Sequence, residues 1–197
     1  MKFVVGIGNP GKSYEKTRHN IGFRVLESLS RKFDAKAAFR KKSALQAKAY
    51  ESGETMLVLP ETFVNLSGET VKALGRKLGA KPADILVVCD DVNLVFPKMR
   101  FRASGSAGGP HGLESVIAAL GSEDFARLRI GVANEGMPKQ DVAPFVLDKF
   151  AREEEKALEK VLEKASKVCE SWIREGSDGA TACLSRLQSI KEEKKAE

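Results

Sequence analysis

Three short apolar runs, at 2–5, 55–59 and 85–89, each stop abruptly at a polar cluster, and this pattern limits the available folds more than any other feature. Short runs rich in valine, leucine and isoleucine, bounded by turn formers or acids, read as strands buried on both faces. Further strands are expected at 46–51, 98–103 and 127–132. Between them, apolar residues recur at helical spacing over 21–33, 66–78, 113–120, 152–174 and about 180–191. The 152–174 segment lines up Leu158, Val161, Leu162, Ala165, Val168, Cys169, Trp172 and Ile173 on one face. It opens with Glu153, Glu154 and Glu155, where the helix dipole favours acids. Only Ser52-Gly53-Glu54 separates 46–51 from 55–59, so those two strands form an antiparallel hairpin and the sheet is mixed. The alternation specifies the α/β class: a single-domain three-layer sandwich, with a twisted mixed β-sheet flanked by helices. Residues 1–190 make up that domain, and 191–197 form a charged, frayed tail.

Composition narrows the function classes. A chain of 197 residues, 42% of them hydrophobic, supplies one full-sized core and needs no second domain. The opening apolar run is broken by Gly6, short of the roughly 7 to 15 residues of a signal peptide's apolar region. No run approaches the roughly 20 residues of a membrane span. Cys89, Cys169 and Cys183 are odd in number, lack metal-ligand spacing and sit among apolar neighbours; they read as reduced, buried thiols in a cytoplasmic protein. The net charge of +6 favours a polyanionic partner. Basic residues alternate at Lys98, Arg100 and Arg102 and again at Arg127 and Arg129, so each set would line one strand face and track a phosphate backbone. An ordinary solvated sheet face has the same pattern. Lys41 and Lys42 read as surface solvation.

The polar clusters carry the chemistry. Gly6-Ile7-Gly8-Asn9-Pro10-Gly11 matches the glycine fingerprint of dinucleotide-binding folds, which requires a helix to open at the turn and hold a pyrophosphate. Pro10 and the lack of helical apolar spacing over 12–18 deny it that helix. Asn9 follows the first strand, Asn65 the second, and Asp90 and Asp91 the third. If those strands are parallel neighbours, all three clusters open on the carboxyl edge, where open α/β sheets bind ligands. His19, one of two histidines, would lie over the same edge. The glycine-rich 104–112 segment brings the other, His111, to the start of a helix. Each residue also has a plainer reading: Asn65 as a helix cap, Asp90 or Asp91 bonding turn amides, His111 as a solvent-facing cap.

Read together, these segments resemble the bacterial-type peptidyl-tRNA hydrolases. The motifs are Val-Gly-Ile-Gly-Asn-Pro-Gly at 5–11, Tyr14, Thr-Arg-His-Asn at 17–20, Thr-Phe-Val-Asn-Leu-Ser-Gly at 62–68, Gly-Gly-Pro-His-Gly-Leu at 108–113 and Arg-Leu-Arg-Ile-Gly at 127–131, in order along nearly the whole chain. The resemblance implies cleavage of the ester between a peptide and the 3′-terminal ribose of tRNA, recycling the tRNA without a metal or organic cofactor. It implies His19 as the base that activates water, Asp90 as the carboxylate that holds the imidazole, and Asn9 as the group that tells blocked from free aminoacyl ends. Asn65 matches the residue that binds the peptide main chain or tRNA end, and Tyr14 and Phe63 match contacts to the terminal nucleotide. Arg100, Arg102 and Arg129 would hold acceptor-arm phosphates, and the enzyme would work as a monomer. Asp91 is expected to be a structural acceptor.

Family members usually carry methionine where this chain has Val64, histidine where it has Cys89 and Pro110, and asparagine where it has His111. The last matters most, because a neutral imidazole cannot present an amide's donor and acceptor pair in one tautomer. His111 is therefore expected to line the substrate channel with altered affinity or pH dependence. A relative that binds RNA without catalysis is the alternative function, set against the joint presence of Asn9, His19, Asn65 and Asp90.

Overall fold

The three apolar runs become three adjacent parallel strands. A computed structural model, describing residues 1–109 and 111–193, places them in the order β1 (Lys2–Gly6), α1 (Ile21–Phe33), β2 (Arg40–Lys42), β3 (Ala47–Ser52), β4 (Thr55–Pro60), α2 (Ser67–Leu78), β5 (Ile85–Val95), β6 (Met99–Arg102), α3 (His111–Leu120), β7 (Ala126–Ala133), α4 (Ala143–Leu147) and α5 (Arg152–Glu193). The seven strands form one sheet in the order β2-β3-β4-β1-β5-β7-β6. Val4 sits at its centre, opposite Leu57 on one side and Leu86 on the other, both in parallel register. The β3–β4 hairpin and the β6 edge are antiparallel, so the sheet is mixed as expected.

Strand alternation divides the core in two. Val4, Leu57, Leu86, Val88, Leu128 and Ile130 face α1 and α5, whose Val25, Leu29, Leu158, Val168 and Trp172 complete that layer. Phe3, Val5, Val58, Val87 and Cys89 face α2 and α3, meeting Val71, Leu74, Leu113 and Val116. Each buried aliphatic side chain contributes roughly 1.5–3 kcal/mol. The fold is thus a single-domain α/β sandwich with helices on both faces of a mixed sheet.

The glycine fingerprint has a packing explanation. A Cβ on Gly22, in the first turn of α1, would fall 2.4 Å from the Val88 carbonyl oxygen and 2.6 Å from that of Ile7. One on Gly6 would fall 2.8 Å from the Gly22 oxygen. These glycines let α1 press against β1 and β5. No helix opens at the Asn9 turn; the chain travels to residue 18 before a 3-10 turn leads into α1.

Several sequence expectations need correction. β5 does not end at Cys89 but runs to Val95, so Asp90 and Asp91 lie within a strand rather than in a turn. The exposed edge strand β2 contains Lys41 and Lys42 and was not expected, because a short basic run offers no apolar alternation. The short helix α4 was missed as well, its first turn marked only by Pro144. The two expected C-terminal helices are joined in α5, interrupted where Gly176 takes φ 73° and ψ −160°. Helix continues through 191–193, expected to fray; 194–197 and Pro110 lie outside the described residues. Cys89 and Cys169 are buried, and burial pushes both thiols well up; Cys183 is only half-buried. Among the described residues no helix is long and apolar enough to cross a membrane.

Candidate active site

His19 sits in the 3-10 turn Arg18–Asn20, bracketed by two buried residues that pin the turn from opposite sides. Arg18 reaches across to β7 and the first turn of α5. Its Nη1 donates to the Val132 carbonyl at 3.1 Å and to Glu154 Oε1 at 3.0 Å, and its Nη2 donates to Glu154 Oε2 at 2.6 Å. The guanidinium also stacks over Phe145 and Phe150, at 4.5 and 4.8 Å from their centroids. Burial would push the Glu154 carboxyl up, but hydrogen bonds from Arg18, the Ala151 amide and Asn134 outweigh it and hold it below its ordinary value. On the other side, Asn20 Nδ2 donates to the Asn9 carbonyl at 2.8 Å, and the Asn9 amide donates back to Asn20 Oδ1 at 2.9 Å. Neither Arg18 nor Asn20 was singled out from sequence; only their place beside His19 could have drawn attention to them.

Between these anchors, His19 Nδ1 lies 2.9 Å from Asp90 Oδ1. Both side chains are largely buried, 14% and 6% exposed, so the interaction is little screened. Burial alone pushes the imidazole down; the hydrogen bond and charge of Asp90 outweigh it, and His19 ends above its ordinary value of 6.5. A carboxylate accepts, so Nδ1 carries the hydrogen and Nε2 has its lone pair free. Nε2 makes no hydrogen bond to the described residues.

Strand alternation turns the two neighbouring aspartates to opposite faces. Asp90 faces His19 on the α1 side. Asp91, only 1% exposed, sends Oδ2 to within 3.0 Å of Arg129 Nε and accepts the Asn93 amide on Oδ1 at 2.9 Å. Asp91 is thus the structural acceptor expected of it.

The asparagines are arranged differently from one another. The Val64 amide donates to Asn9 Oδ1 at 3.0 Å, which fixes the amide flip and leaves Asn9 Nδ2 without a protein partner among the described residues. Asn65, next along the chain in the 3-10 turn Val64–Leu66, is exposed and makes no side-chain hydrogen bond among the described residues. It does not cap α2: the N-cap is Leu66, with no side-chain cap bond. Phe63 precedes the turn with 57% of its surface exposed. Behind the turn, a Cβ on Gly112 of α3 would meet Ile7 Cγ2 at 2.6 Å and Val64 Cγ2 at 3.0 Å, so α3 packs directly against the strand end and turn that carry the asparagines. A cleft of about 580 Å³ opens beside Asn9, lined by Pro10, Phe23, Phe39 and Leu59 among others.

Other expected residues stand apart from this centre. Tyr14 is half-buried in the loop after Asn9, where its carbonyl accepts from Thr17 Oγ1 at 2.8 Å. His111 is the first residue of α3, its side chain 81% exposed and 3.1 Å from Glu114 Oε2. It is open to solvent at the helix end. Arg100 and Arg102 are exposed on the edge strand β6. The second basic strip is not a solvated face. Arg127 is 1% exposed, lies 4.2 Å over Phe125 and donates to the carbonyls of Glu123 and Ser106. Arg129 is turned inward onto Asp91 with its side chain 11% exposed. The 103–109 segment meets both, its Ser106 carbonyl accepting from Arg127 and its Gly108 carbonyl from Arg129. Among the described residues no group of three or more histidine, cysteine or acidic side chains is placed to hold a metal.

The chain is similar in sequence and fold to known proteins. The family model for peptidyl-tRNA hydrolase matches residues 3–195. A peptidyl-tRNA hydrolase from Desulfitobacterium hafniense is 43% identical over 190 residues, covering 94% of this chain and all of the relative. One from Chlorobium luteolum is 43% identical over 181 residues, 91% of this chain and 95% of the relative. Among solved structures, the peptidyl-tRNA hydrolase from Acinetobacter baumannii superposes with a TM-score of 0.78 at 26% identity, over 91% of this chain and 94% of that one. Likeness of this extent in both sequence and fold makes the chain a member of the peptidyl-tRNA hydrolase family.

Proposed function

We propose that the chain hydrolyses the ester joining a peptide to the 3′-terminal ribose of tRNA, using water activated by His19. The observation that carries the mechanism is the buried His19–Asp90 pair, with Nδ1 committed to the carboxylate and Nε2 free. Nε2 takes a proton from water as the oxygen attacks the ester carbonyl, and Asp90 stabilises the imidazolium as it forms. The tetrahedral intermediate collapses, the C–O bond to the ribose breaks, and the ribose oxygen takes the proton from Nε2. The products are a tRNA with a free terminal hydroxyl and a peptide carboxylic acid, which releases its proton to solvent to leave the carboxylate. No serine or cysteine is paired with His19 among the described residues, which favours direct attack by water over a covalent intermediate.

Asn9 Nδ2 is the donor left over after Val64 has claimed its Oδ1. We assign it to the substrate's amide carbonyl, a group present on a blocked aminoacyl end and absent from a free one. Asn65, on the adjacent turn, binds the peptide main chain or the tRNA end. Phe63, exposed at the same turn, and Tyr14 offer aromatic faces to the terminal nucleotide. Arg100 and Arg102 on the edge strand hold acceptor-arm phosphates, so affinity falls with salt. His111 stands at the rim. The protein acts as a monomer in the cytoplasm.

The test is discrimination between substrates. The wild type should release tRNA from N-acetyl-aminoacyl-tRNA and leave the unacetylated form intact; Asn9→Ala should narrow that ratio by about tenfold or more, the scale of one missing hydrogen bond at a buried site. Equal cleavage of both forms by the wild type would refute the role of Asn9.

A further inference from the structure

Three consecutive acids stand in the first turn of α5, and the helix dipole favours all of them alike. The fold separates them. Glu153 and Glu155 are exposed, whereas Glu154 turns inward and its carboxylate accepts four hydrogen bonds. Oε1 takes one from Arg18 Nη1 and one from Asn134 Nδ2, each at 3.0 Å. Oε2 takes one from Arg18 Nη2 and one from the Ala151 amide, each at 2.6 Å. One carboxylate thus joins the residue after β7, the start of α5 and the turn that carries His19. Arg18 Nη1 also donates to the Val132 carbonyl in β7, the Arg18 amide donates to the Asp148 carbonyl at 2.9 Å, and Thr17 pairs with Lys149 in an antiparallel bridge. The next residue, His19, reaches Asp90 in β5, which stands opposite Ile130 of β7. Arg18 and His19 therefore grip two neighbouring strands, and the setting of one side chain constrains the other.

We infer that Glu154 is a positioning residue for the base: it holds the Arg18 guanidinium and so sets the 18–20 turn where the His19 imidazole meets Asp90. A planar fork bonded at both of its terminal nitrogens has one orientation. The stack on Phe145 and Phe150 closes off others, while Asn134 and the Ala151 amide fix the carboxylate in turn. A reacting group misplaced by about 1 Å loses rate on the scale of about 10². The inference rests on the proposed role of His19.

The experiment compares Glu154→Gln, Glu153→Gln, Glu155→Gln and the apolar pair Arg18→Met with Glu154→Leu against the wild type. Each is followed by release of tRNA from N-acetyl-aminoacyl-tRNA between about pH 5 and 9, by NMR titration of His19 and by urea unfolding. Glu154→Gln keeps the side chain's shape but turns amide hydrogens toward groups that can only donate. It should lower kcat by roughly 3- to 30-fold with KM little changed. His19 stands above its ordinary value because of the hydrogen bond and charge of Asp90, so a loosened turn should move its titration, and the acid limb of kcat, downward. Glu153→Gln and Glu155→Gln should match the wild type. The apolar pair leaves no buried charge uncompensated and should unfold closer to the wild type than Arg18→Met alone, yet keep the low kcat and the displaced titration. Where Glu154→Gln fails to fold, the apolar pair supplies the comparison. A wild type no more active than His19→Ala would count against the proposed function, whereas the His19 titration needs no substrate and bears on Glu154 alone. The positioning role is overturned if the titration stays at the wild-type value in Glu154→Gln or, where that variant does not fold, in the apolar pair, whatever happens to stability. It is equally overturned if Glu153→Gln and Glu155→Gln lower kcat as much as Glu154→Gln, the signature of a dipole effect shared by all three acids.

Discussion

Replacing Asp90 with asparagine keeps the shape of the His19 pair and removes its charge. In the wild type, desolvation pushes the imidazole down while the Asp90 hydrogen bond and charge push it up further, leaving it above 6.5. Asparagine leaves the desolvation in place. A hydrogen bond to a charged group at 2.9 Å is worth about 1.5–3 kcal/mol. With that charge gone and the desolvation kept, the His19 titration should fall below that of the wild type. More of the imidazole is then neutral at acid pH, which by itself would raise activity there. The tautomer works against that gain: asparagine can donate to Nδ1, moving the hydrogen to Nε2 and removing the lone pair that must accept from water. The expected result is a kcat lower by about 10² to 10⁴ throughout, with the acid limb of the pH profile displaced downward. The assay is tRNA release between about pH 5 and 9, beside an NMR titration in which only two imidazoles, His19 and His111, report. A variant with kcat within threefold of wild type and an unmoved acid limb would refute the role given to Asp90.

Other expectations follow from the same geometry. Asn65→Ala breaks no protein hydrogen bond among the described residues, so thermal or urea unfolding should shift by less than about 0.5 kcal/mol while kcat/KM falls by roughly tenfold. Gly22→Ala forces a methyl between two backbone carbonyls and should cost about 3 kcal/mol or more in urea unfolding. Arg18→Ala leaves the Glu154 carboxylate without its guanidinium, and stability should fall by about 3–5 kcal/mol. Because the folded His19 value is raised, the stability it adds is complete below about 6.5 and is lost as pH rises through the folded value; the difference between wild type and His19→Ala in urea unfolding should shrink across that range. Arg100→Ala with Arg102→Ala should weaken tRNA binding and flatten its salt dependence by about one unit for each phosphate that the arginines no longer neutralise.

The sheet and its helices were legible in the sequence because their signals are periodic. The 55–59 run is buried at every position in β4, and the residues aligned on the 152–174 face line the core. What escaped lacked periodicity: β2 is three basic residues, and α4 is five residues with a proline in its first turn. At the site, residue types with few ordinary uses drew attention. Asn9 and Asp90 were visible as polar residues after apolar runs and His19 as one of two histidines, and the parallel register of β4, β1 and β5 brings the ends of those runs to one edge. Arg18 was passed over and the burial of Arg129 was not foreseen, because sequence gives a buried arginine no mark that distinguishes it from a solvated one. Their burial depends on distant partners, Glu154 and Asp91, whose own positions follow only from the fold. The extension of β5 past Cys89 had the same cause: consecutive aspartates read as a turn, whereas the ladder to β7, pairing Asp90 with Ile130 and Asp91 with Gly131, carries them in a strand.

The most direct measurement is release of tRNA from an N-blocked aminoacyl-tRNA by the wild type and by His19→Ala, with RNA binding followed in parallel. The expected result is turnover by the wild type and a drop of about 10² to 10⁴ in kcat for the variant, with tRNA binding retained. Equal, background release by both proteins, each still binding tRNA, would contradict hydrolysis by His19-activated water and leave a protein that binds its RNA without cleaving it.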